Sequence, residues 1–175
     1  MSNGSEIPDE VSQQDGRPLN AADMTPEARA CACAQVMLTD DEATQALGMK
    51  ILDVVPGQAQ LQMRVTKMML NGHGTCHGGF LFSLADSAFA FACNTYNQRT
   101  VAQHCSISYL APAFEHDELT ATATELTRSG RSGLYDVLIR NQKDELLAVF
   151  RGHARTIKGT LLPETATRIP TRRQP

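Results

Sequence analysis

The aspartate at position 86 stands where burial normally excludes a charge. In a helix its neighbours one turn away are Phe82, Phe89 and Ala90, so its carboxylate projects from an apolar stripe rather than from a solvated face. Burying an unpaired charge is costly, and such a carboxylate therefore has partners, lies in a wet cleft or shifts its pKa. Each outcome describes a functional site.

A glycine-rich loop, residues 71–79, runs directly into the apolar segment that carries Asp86. Its last residues, His77, Gly78 and Gly79, precede the helix, so the first N–H groups of that helix have no intrahelical acceptor and form an anion or oxyanion hole. Glycine also lets a ligand approach the main chain closely. By helical rise Asp86 lies about 10 Å from these donors. That distance is long for one reaction centre, so the spacing favours a site shared between two chains across a two-fold axis.

Each of these residues also has a purely structural interpretation. The glycine pair can be only a tight turn before a helix, and Asp86 can be a core acid bonded to an arginine or to the backbone. Asn71 can simply cap a turn, which is the most common use of asparagine in loops. The residues alone leave both interpretations open.

The two histidines of the loop do not predict a metal site. His73 and His77 are four residues apart with Cys76 between them, a spacing that suits a metal only if the segment is helical. Glycine interrupts any helix here, and no second Cys/His pair follows at a fixed spacing.

Composition limits the class of protein. The chain has 175 residues, 42% of them apolar, and a net charge of −3, which is ordinary for one globular domain. Lysine and arginine are scattered, so no nucleic-acid or membrane partner is indicated. The five cysteines are odd in number, no signal peptide is visible, and no apolar run approaches the roughly 18 residues that span a bilayer. We therefore expect a soluble, cytoplasmic protein with reduced thiols.

The apolar segment from Phe80 to about Tyr96 is too long for a strand and predicts a buried central helix. Upstream, Thr25 and Pro26 begin a helix that extends to about Met37, and residues 40–46 add a short helical turn. Alternating polarity predicts strands over the following segments: Met49–Val55, Ala59–Val65, Thr100–Leu110, Glu118–Arg128, Gly133–Arg140 and Leu146–Thr156. The first two form a hairpin.

These elements predict one α+β domain in which an antiparallel sheet curls around the central helix. Polar residues 1–22 are expected to form a disordered extension and residues 160–175 a flexible tail, which leaves the domain at 23–159. We expect the third to fifth strands to form a meander, with a phase slip between Leu134 and Val137. The free edges of such a sheet invite pairing with another subunit, so a homodimer or larger assembly is predicted.

The segment from Asn71 to Asn94, NGHGTCHGGFLFSLADSAFAFACN, resembles the hotdog-fold acyl-CoA thioesterases of the phenylacetate-degradation (PaaI) type. The resemblance continues through Tyr109–Pro112, Leu119–Ala123 and Val149–Gly152, and covers roughly residues 47–159. It implies a hotdog fold, an antiparallel sheet wrapped around one long central helix. It also implies homodimers that assemble into homotetramers, with sites at the dimer interface.

The resemblance implies roles for four residues. Asp86 attacks the thioester or activates water, the Gly78 N–H polarises the carbonyl, and His77 lies close to the same carbonyl. Asn71 orients the acid or the water. One position departs from the family, because some relatives have a serine or threonine near the start of the third strand where this chain has Ala-Gln-His at 102–104.

Further residues are predicted to bind substrate. Gly79 and Phe82 share the helix face that bears the acid. The phosphates of coenzyme A need cations, for which Arg131, Arg151 and Arg155 are candidates by family analogy and by charge, although each is explained equally well as a solvated strand end.

The expected function is hydrolysis of phenylacetyl-CoA, ring-hydroxylated phenylacetyl-CoA or related aryl acyl-CoA thioesters, with acyl-CoA as partner and without metal or other cofactor. Two alternatives stay open. A hydratase or dehydratase acting on enoyl or hydroxyacyl thioesters would use His77 as a catalytic histidine paired with the acid. A non-catalytic acyl-CoA-binding module would not need Asp86.

Overall fold

The computed structural model of the chain describes residues 20–163, which form one antiparallel six-stranded sheet and a long helix packed against it. This confirms the predicted α+β architecture. The strands lie in the order β1-β2-β4-β5-β6-β3. The bounds of the elements are α1 Pro26–Asp40, α2 Glu42–Ala46, β1 Lys50–Val55, β2 Gln58–Arg64, α3 Gly78–Cys93, β3 Thr100–Tyr109, β4 Glu118–Ser129, β5 Ser132–Arg140 and β6 Leu146–Thr156.

Helix α1 begins at the residues that its capping signal predicts, and α2 begins at Glu42, two residues after the predicted start at position 40. The Thr25 hydroxyl accepts the N–H of Ala28 at 3.2 Å and so caps α1. The Asp41 carboxylate accepts the N–H of Thr44 at 3.0 Å and caps α2. Helix α1 extends three residues beyond the predicted end at Met37, as far as Asp40. It packs against the edge strand β1.

Helix α3 lies against the inner face of the sheet and is buried along most of its length. Its Phe89 contacts Tyr135 of β5 and Phe150 of β6, with ring centroids 5.4 and 5.9 Å apart. Gly152 of β6 leaves room for this ring, since a Cβ there would lie 2.8 Å from it. The aromatic contacts fix the rotation of α3 about its axis. The opposite, half-exposed stripe of α3, called here the open stripe, consists of Phe82, Ser83, Asp86, Ser87 and Ala90.

The predicted meander contained the wrong strand. Strand β3 does not pair with β4, but with β6 at the far edge of the sheet, so the meander consists of β4, β5 and β6. The connection 110–117 passes the start of α3, where the Ala113 carbonyl accepts the N–H of Cys76 at 2.8 Å, and then reaches β4. Alternation of polarity specifies the faces of a strand but not its neighbours, which explains the error.

The phase slip predicted in β5 is also wrong. Alternate residues from Tyr135 to Ile139 face the core, and Leu134 lies on the other face. The irregularity belongs to β4, between Glu125 and Thr127, which the pattern of β5 alone cannot reveal.

The domain includes residues that the sequence placed in the tails. Ala21 and Leu162 are buried in a small apolar cluster with Cys33 of α1. Asn97 Oδ1 accepts the N–H groups of Leu161 and Leu162 at 3.1 and 2.7 Å, which holds the C-terminal segment in place. Residues 1–19 and 164–175 of the predicted tails lie outside the described residues. None of the helices in the described part of the chain is long and apolar enough to cross a membrane.

Candidate active site

The start of α3 leaves one backbone donor free. His77 caps the helix, because its Nδ1 accepts the N–H of Gly79 at 3.0 Å and its carbonyl oxygen accepts the N–H of Phe80 at 2.9 Å. Among residues 20–163, no group accepts a hydrogen bond from the N–H of Gly78. The Gly78 amide is therefore the donor at the positive end of α3 that is available to a ligand oxygen.

The hydrogen bond at His77 defines what the imidazole ring can do. Because Nδ1 is an acceptor, the proton of the neutral ring is on Nε2. The exposed His77 ring therefore presents an N–H donor at the start of α3, one residue before Gly78. In this state the ring has no free lone pair and cannot act as a general base, as the hydratase alternative would require.

Tyr109, the last residue of β3, lies directly over Gly78. Its hydroxyl donates to the Gly78 carbonyl oxygen at 2.9 Å. A Cβ added to Gly78 would lie 2.8 Å from Cζ of the tyrosine ring, closer than side chains approach. Gly78 is thus required by a close contact, in addition to the turn before α3.

Asp86 is half-buried on the open stripe and has no cationic partner among the described residues. Its one hydrogen-bond partner there is the Cys105 thiol of β3, with Sγ 3.9 Å from Oδ1. Burial raises the pKa of Asp86 above its usual range, and the thiol hydrogen bond opposes this rise. Within residues 20–163, Asp86 is therefore not a core acid bonded to an arginine or to the backbone. A desolvated carboxyl without a charge partner is typical of a reactive group.

Asn71 is held within its own loop. Its Oδ1 accepts the N–H groups of His73 and Thr75 at 2.8 and 3.3 Å, and its Nδ2 donates to the Thr75 hydroxyl at 3.0 Å. This is the turn-capping use of asparagine. The same bonds fix the loop that leads into α3, so Asn71 supports the helix start. Its predicted role in orienting the acid or water stays a prediction.

A cavity of about 410 Å³ lies beside Gly78 and is lined by Thr75, Cys76, Gly78, Leu81, Tyr109 and the segment 110–113. Two predicted substrate contacts lie outside this lining. Gly79 is exposed, but its N–H is used by His77. Phe82 lies on the open stripe with its ring 5.4 Å from that of Phe150.

The three predicted arginines are not brought to the start of α3 within one chain. Arg151 and Arg155 lie on the face of β6 opposite to its buried residues, and Arg131 lies in the tight connection from β4 to β5. Arg151 is paired with Asp136 through two bonds of 2.6 and 2.7 Å, which raise the pKa of this guanidinium. Such a pair is less available to a phosphate than a free arginine.

Two residues of this site were missed by the sequence analysis, Cys105 and Tyr109. Residues 102–104 occupy the place where some relatives have a serine or threonine, but β3 has an irregularity between Ala102 and His104, and the residue that meets Asp86 is Cys105. Counting in steps of two backwards from Tyr109 predicts an inward Cys105, so the alternation of this strand contained a usable signal. The contact of Tyr109 with Gly78 spans 31 positions of the chain and had no local signal.

The fold places the chain in the hotdog class of α+β proteins, in which one long helix is packed into the concave face of an antiparallel sheet. Residues 73–148 match the family model described as the thioesterase superfamily. The acyl-coenzyme A thioesterase PaaI of Escherichia coli is 46% identical over 131 residues, which cover 75% of this chain and 94% of that protein. The chain belongs to the thioesterase superfamily, and it is a thioester hydrolase.

Solved structures agree with this assignment. The E. coli PaaI protein from the phenylacetic acid degradation operon superimposes with a TM-score of 0.77 at 44% identity, covering 78% of this chain and 99% of that one. A mutant of the phenylacetic acid degradation protein PaaI from Thermus thermophilus superimposes with a TM-score of 0.65 at 38% identity, covering 67% of this chain and all of that one.

Proposed function

We propose that the chain is an acyl-CoA thioesterase that hydrolyses phenylacetyl-CoA, its ring-hydroxylated derivatives or related aryl acyl-CoA thioesters. The observation that carries the proposal is the free N–H of Gly78 at the positive end of α3, beside a cavity and an imidazole N–H donor. A thioester carbonyl gains negative charge in the transition state, and this pair of donors suits that charge. The descriptions of the solved E. coli and T. thermophilus structures, both of which refer to phenylacetic acid degradation, support the aryl acyl group.

In this mechanism the carbonyl oxygen is bound by the Gly78 N–H and the His77 Nε2–H. Each prepositioned donor contributes roughly 3–4 kcal/mol to transition-state stabilisation. As base, Asp86 takes a proton from a water that attacks the carbonyl carbon; as nucleophile, it forms an acyl–aspartyl anhydride that a water molecule then hydrolyses, which restores the carboxylate. The carbon–sulfur bond breaks, coenzyme A leaves as the thiol, and the acyl group is released as the carboxylic acid.

The donors and the acid come from two protomers in this proposal. Gly78 and Asp86 are eight positions apart on one continuous helix, which corresponds to about 12 Å of rise. Strand β3 is a ten-residue sheet edge without proline or lysine, and Val101 and Tyr109 on it expose 45% and 52% of their surface. Such an edge favours pairing with a second copy. The proposed homodimer, assembling to a homotetramer, would have two or four times the 19.1 kDa chain mass in light scattering.

The phosphates of coenzyme A are assigned to Arg131 and Arg155, with Arg151 contributing only if it leaves Asp136. Arg131 is exposed and Arg155 is half-buried, with its guanidinium 3.5 Å from the Ser132 hydroxyl, and within residues 20–163 neither forms an ion pair. Asn71 is proposed to orient the acid or the water indirectly, through its hydrogen bonds to His73 and Thr75 in the loop before α3. Cytoplasm is the proposed location, because all five cysteines are free thiols.

A thiol-release assay tests reaction and specificity together. We expect release of coenzyme A from phenylacetyl-CoA and hydroxyphenylacetyl-CoA to be faster than from short- and medium-chain acyl-CoAs of the same panel. Crotonyl-CoA distinguishes the hydratase, which would consume the enoyl absorbance without releasing thiol. Tight binding of phenylacetyl-CoA without thiol release would instead support a non-catalytic module and contradict the proposal.

The Cys105→Ala variant is expected to move the acid limb of the kcat/KM profile to higher pH. The thiol hydrogen bond lowers the pKa of Asp86, so its loss leaves the raising effect of burial unopposed. More alkaline conditions are then needed to ionise Asp86. Cys105→Ser keeps a donor at the same position and serves as the control, with a profile close to that of the wild type. An unmoved limb in Cys105→Ala would show that Asp86 does not set the profile.

A further inference from the structure

We propose that Tyr109 is a positioning residue for the oxyanion site, which holds the free Gly78 amide in the orientation that the carbonyl oxygen of the substrate needs. This inference rests on the proposed thioesterase function and adds to it a residue that does not itself take part in the bond changes. Tyr109 comes from β3, whereas Gly78 begins α3, so the contact ties the edge strand to the catalytic helix start.

The two peptide groups on either side of the Gly78 Cα are both fixed. In the preceding peptide, the His77 carbonyl oxygen accepts the N–H of Phe80 at 2.9 Å, which leaves the Gly78 N–H as its one unused polar group. In the following peptide, the Tyr109 hydroxyl donates to the carbonyl oxygen of Gly78 at 2.9 Å, and the N–H of Gly79 donates to His77 Nδ1 at 3.0 Å. The direction of the free N–H is therefore determined by its neighbours.

Glycine by itself would not hold that direction. With no Cβ it samples a wide range of backbone angles, and a donor that must be reoriented during the reaction stabilises the transition state less than one already in place. The tyrosine ring fills the space where a Cβ of Gly78 would lie, with Cζ, Oη and Cε1 at 2.8, 2.9 and 3.2 Å from that point. The ring restricts Gly78 sterically, and its hydroxyl restricts the peptide by a hydrogen bond.

Tyr109 is well exposed, with 52% of its surface accessible, although it makes this hydrogen bond. Its ring therefore contributes little to the core of its own protomer, and the edge on which it lies is the one proposed to pair with a second copy. It also lines the 410 Å³ cavity beside Gly78. A direct contact with bound substrate is the competing role, and it predicts a different kinetic effect.

The test is Tyr109→Phe, which keeps the ring over Gly78 and removes only the hydroxyl. We expect kcat for phenylacetyl-CoA to fall roughly five- to tenfold, with KM within about twofold of the wild type, because one orienting hydrogen bond is lost. Amide hydrogen exchange at Gly79, whose N–H is hydrogen-bonded to His77, should accelerate. The unfolding midpoint should be nearly unchanged. Tyr135→Phe is the matched control, since it also loses a phenol hydrogen bond, to Glu125, but far from the helix start. It should leave kcat unchanged.

The outcomes separate this inference from the function on which it rests. A wild-type chain that releases no coenzyme A overturns the proposed function and the positioning role with it. Wild-type turnover together with an unchanged kcat and unchanged exchange in Tyr109→Phe overturns the positioning role alone. A raised KM at constant kcat makes Tyr109 a substrate contact, and this also overturns the inference.

Discussion

The Asp86→Asn variant is expected to release coenzyme A about 10²–10⁴ times more slowly than the wild type, the range by which a positioned base accelerates a reaction. The amide of asparagine has nearly the same shape as the carboxylate, but it neither accepts a proton nor attacks a carbonyl. Steady-state thiol release from phenylacetyl-CoA measures the loss, and isothermal titration checks that the substrate still binds. Asp144→Asn, at an exposed turn between β5 and β6, is the matched control and should keep full activity.

The same substitution should not destabilise the protein. Burial raises the pKa of Asp86 in the folded state, so the folded state binds this proton more tightly than the unfolded state does. The free energy of unfolding then falls as pH rises through the raised pKa, and at neutral pH the ionised Asp86 lowers stability. We expect Asp86→Asn to unfold at an equal or higher urea concentration at neutral pH, with the difference disappearing in acid. Wild-type turnover, or a marked loss of stability at neutral pH, would contradict the assignment of a catalytic carboxylate.

The sequence predicted those features that depend on short stretches of chain. The cap at Thr25, the hairpin of β1 and β2, and the long apolar α3 each follow from residue types within a few positions, and the structure has all of them. Asp86 was identified in the same way, from its neighbours one helical turn away. The features of this kind were predictable because propensity and periodicity are local properties.

The features that escaped prediction depend on pairing between distant segments. The position of β3 beside β6 follows from how the chain crosses the sheet, which no periodicity records. The irregularity in β3 shifts its phase, and so Cys105 rather than a residue at 102–104 meets Asp86. Likewise, an unpaired N–H at Gly78 could be expected from its position at the helix start. The hydrogen bond from the Tyr109 hydroxyl to the Gly78 carbonyl oxygen could not.

The rigidity of this arrangement depends on the aromatic contacts that anchor α3, and Phe89→Ala is expected to lower the free energy of unfolding by about 3–5 kcal/mol. Phe89 is 1% exposed, its ring meets Tyr135 and Phe150, and it fills the space above Gly152. A loss of this size is a large part of the roughly 5–15 kcal/mol typical of a folded domain. Urea unfolding followed by circular dichroism measures it.

Phe114→Ala provides the comparison for Phe89→Ala, because Phe114 exposes 53% of its surface and its loss should change stability by less than about 0.5 kcal/mol. The core substitution can reduce activity by unfolding the protein or by displacing Asp86 in the folded protein. The turnover number per folded molecule separates these two effects. Phe89 faces the sheet while Asp86, one turn earlier, lies on the open stripe, so a rotation of α3 would move the carboxylate away from Cys105. We therefore expect kcat to fall in Phe89→Ala even under conditions where the protein remains folded. Equal stabilities of the two variants would show that the aromatic contacts do not anchor α3.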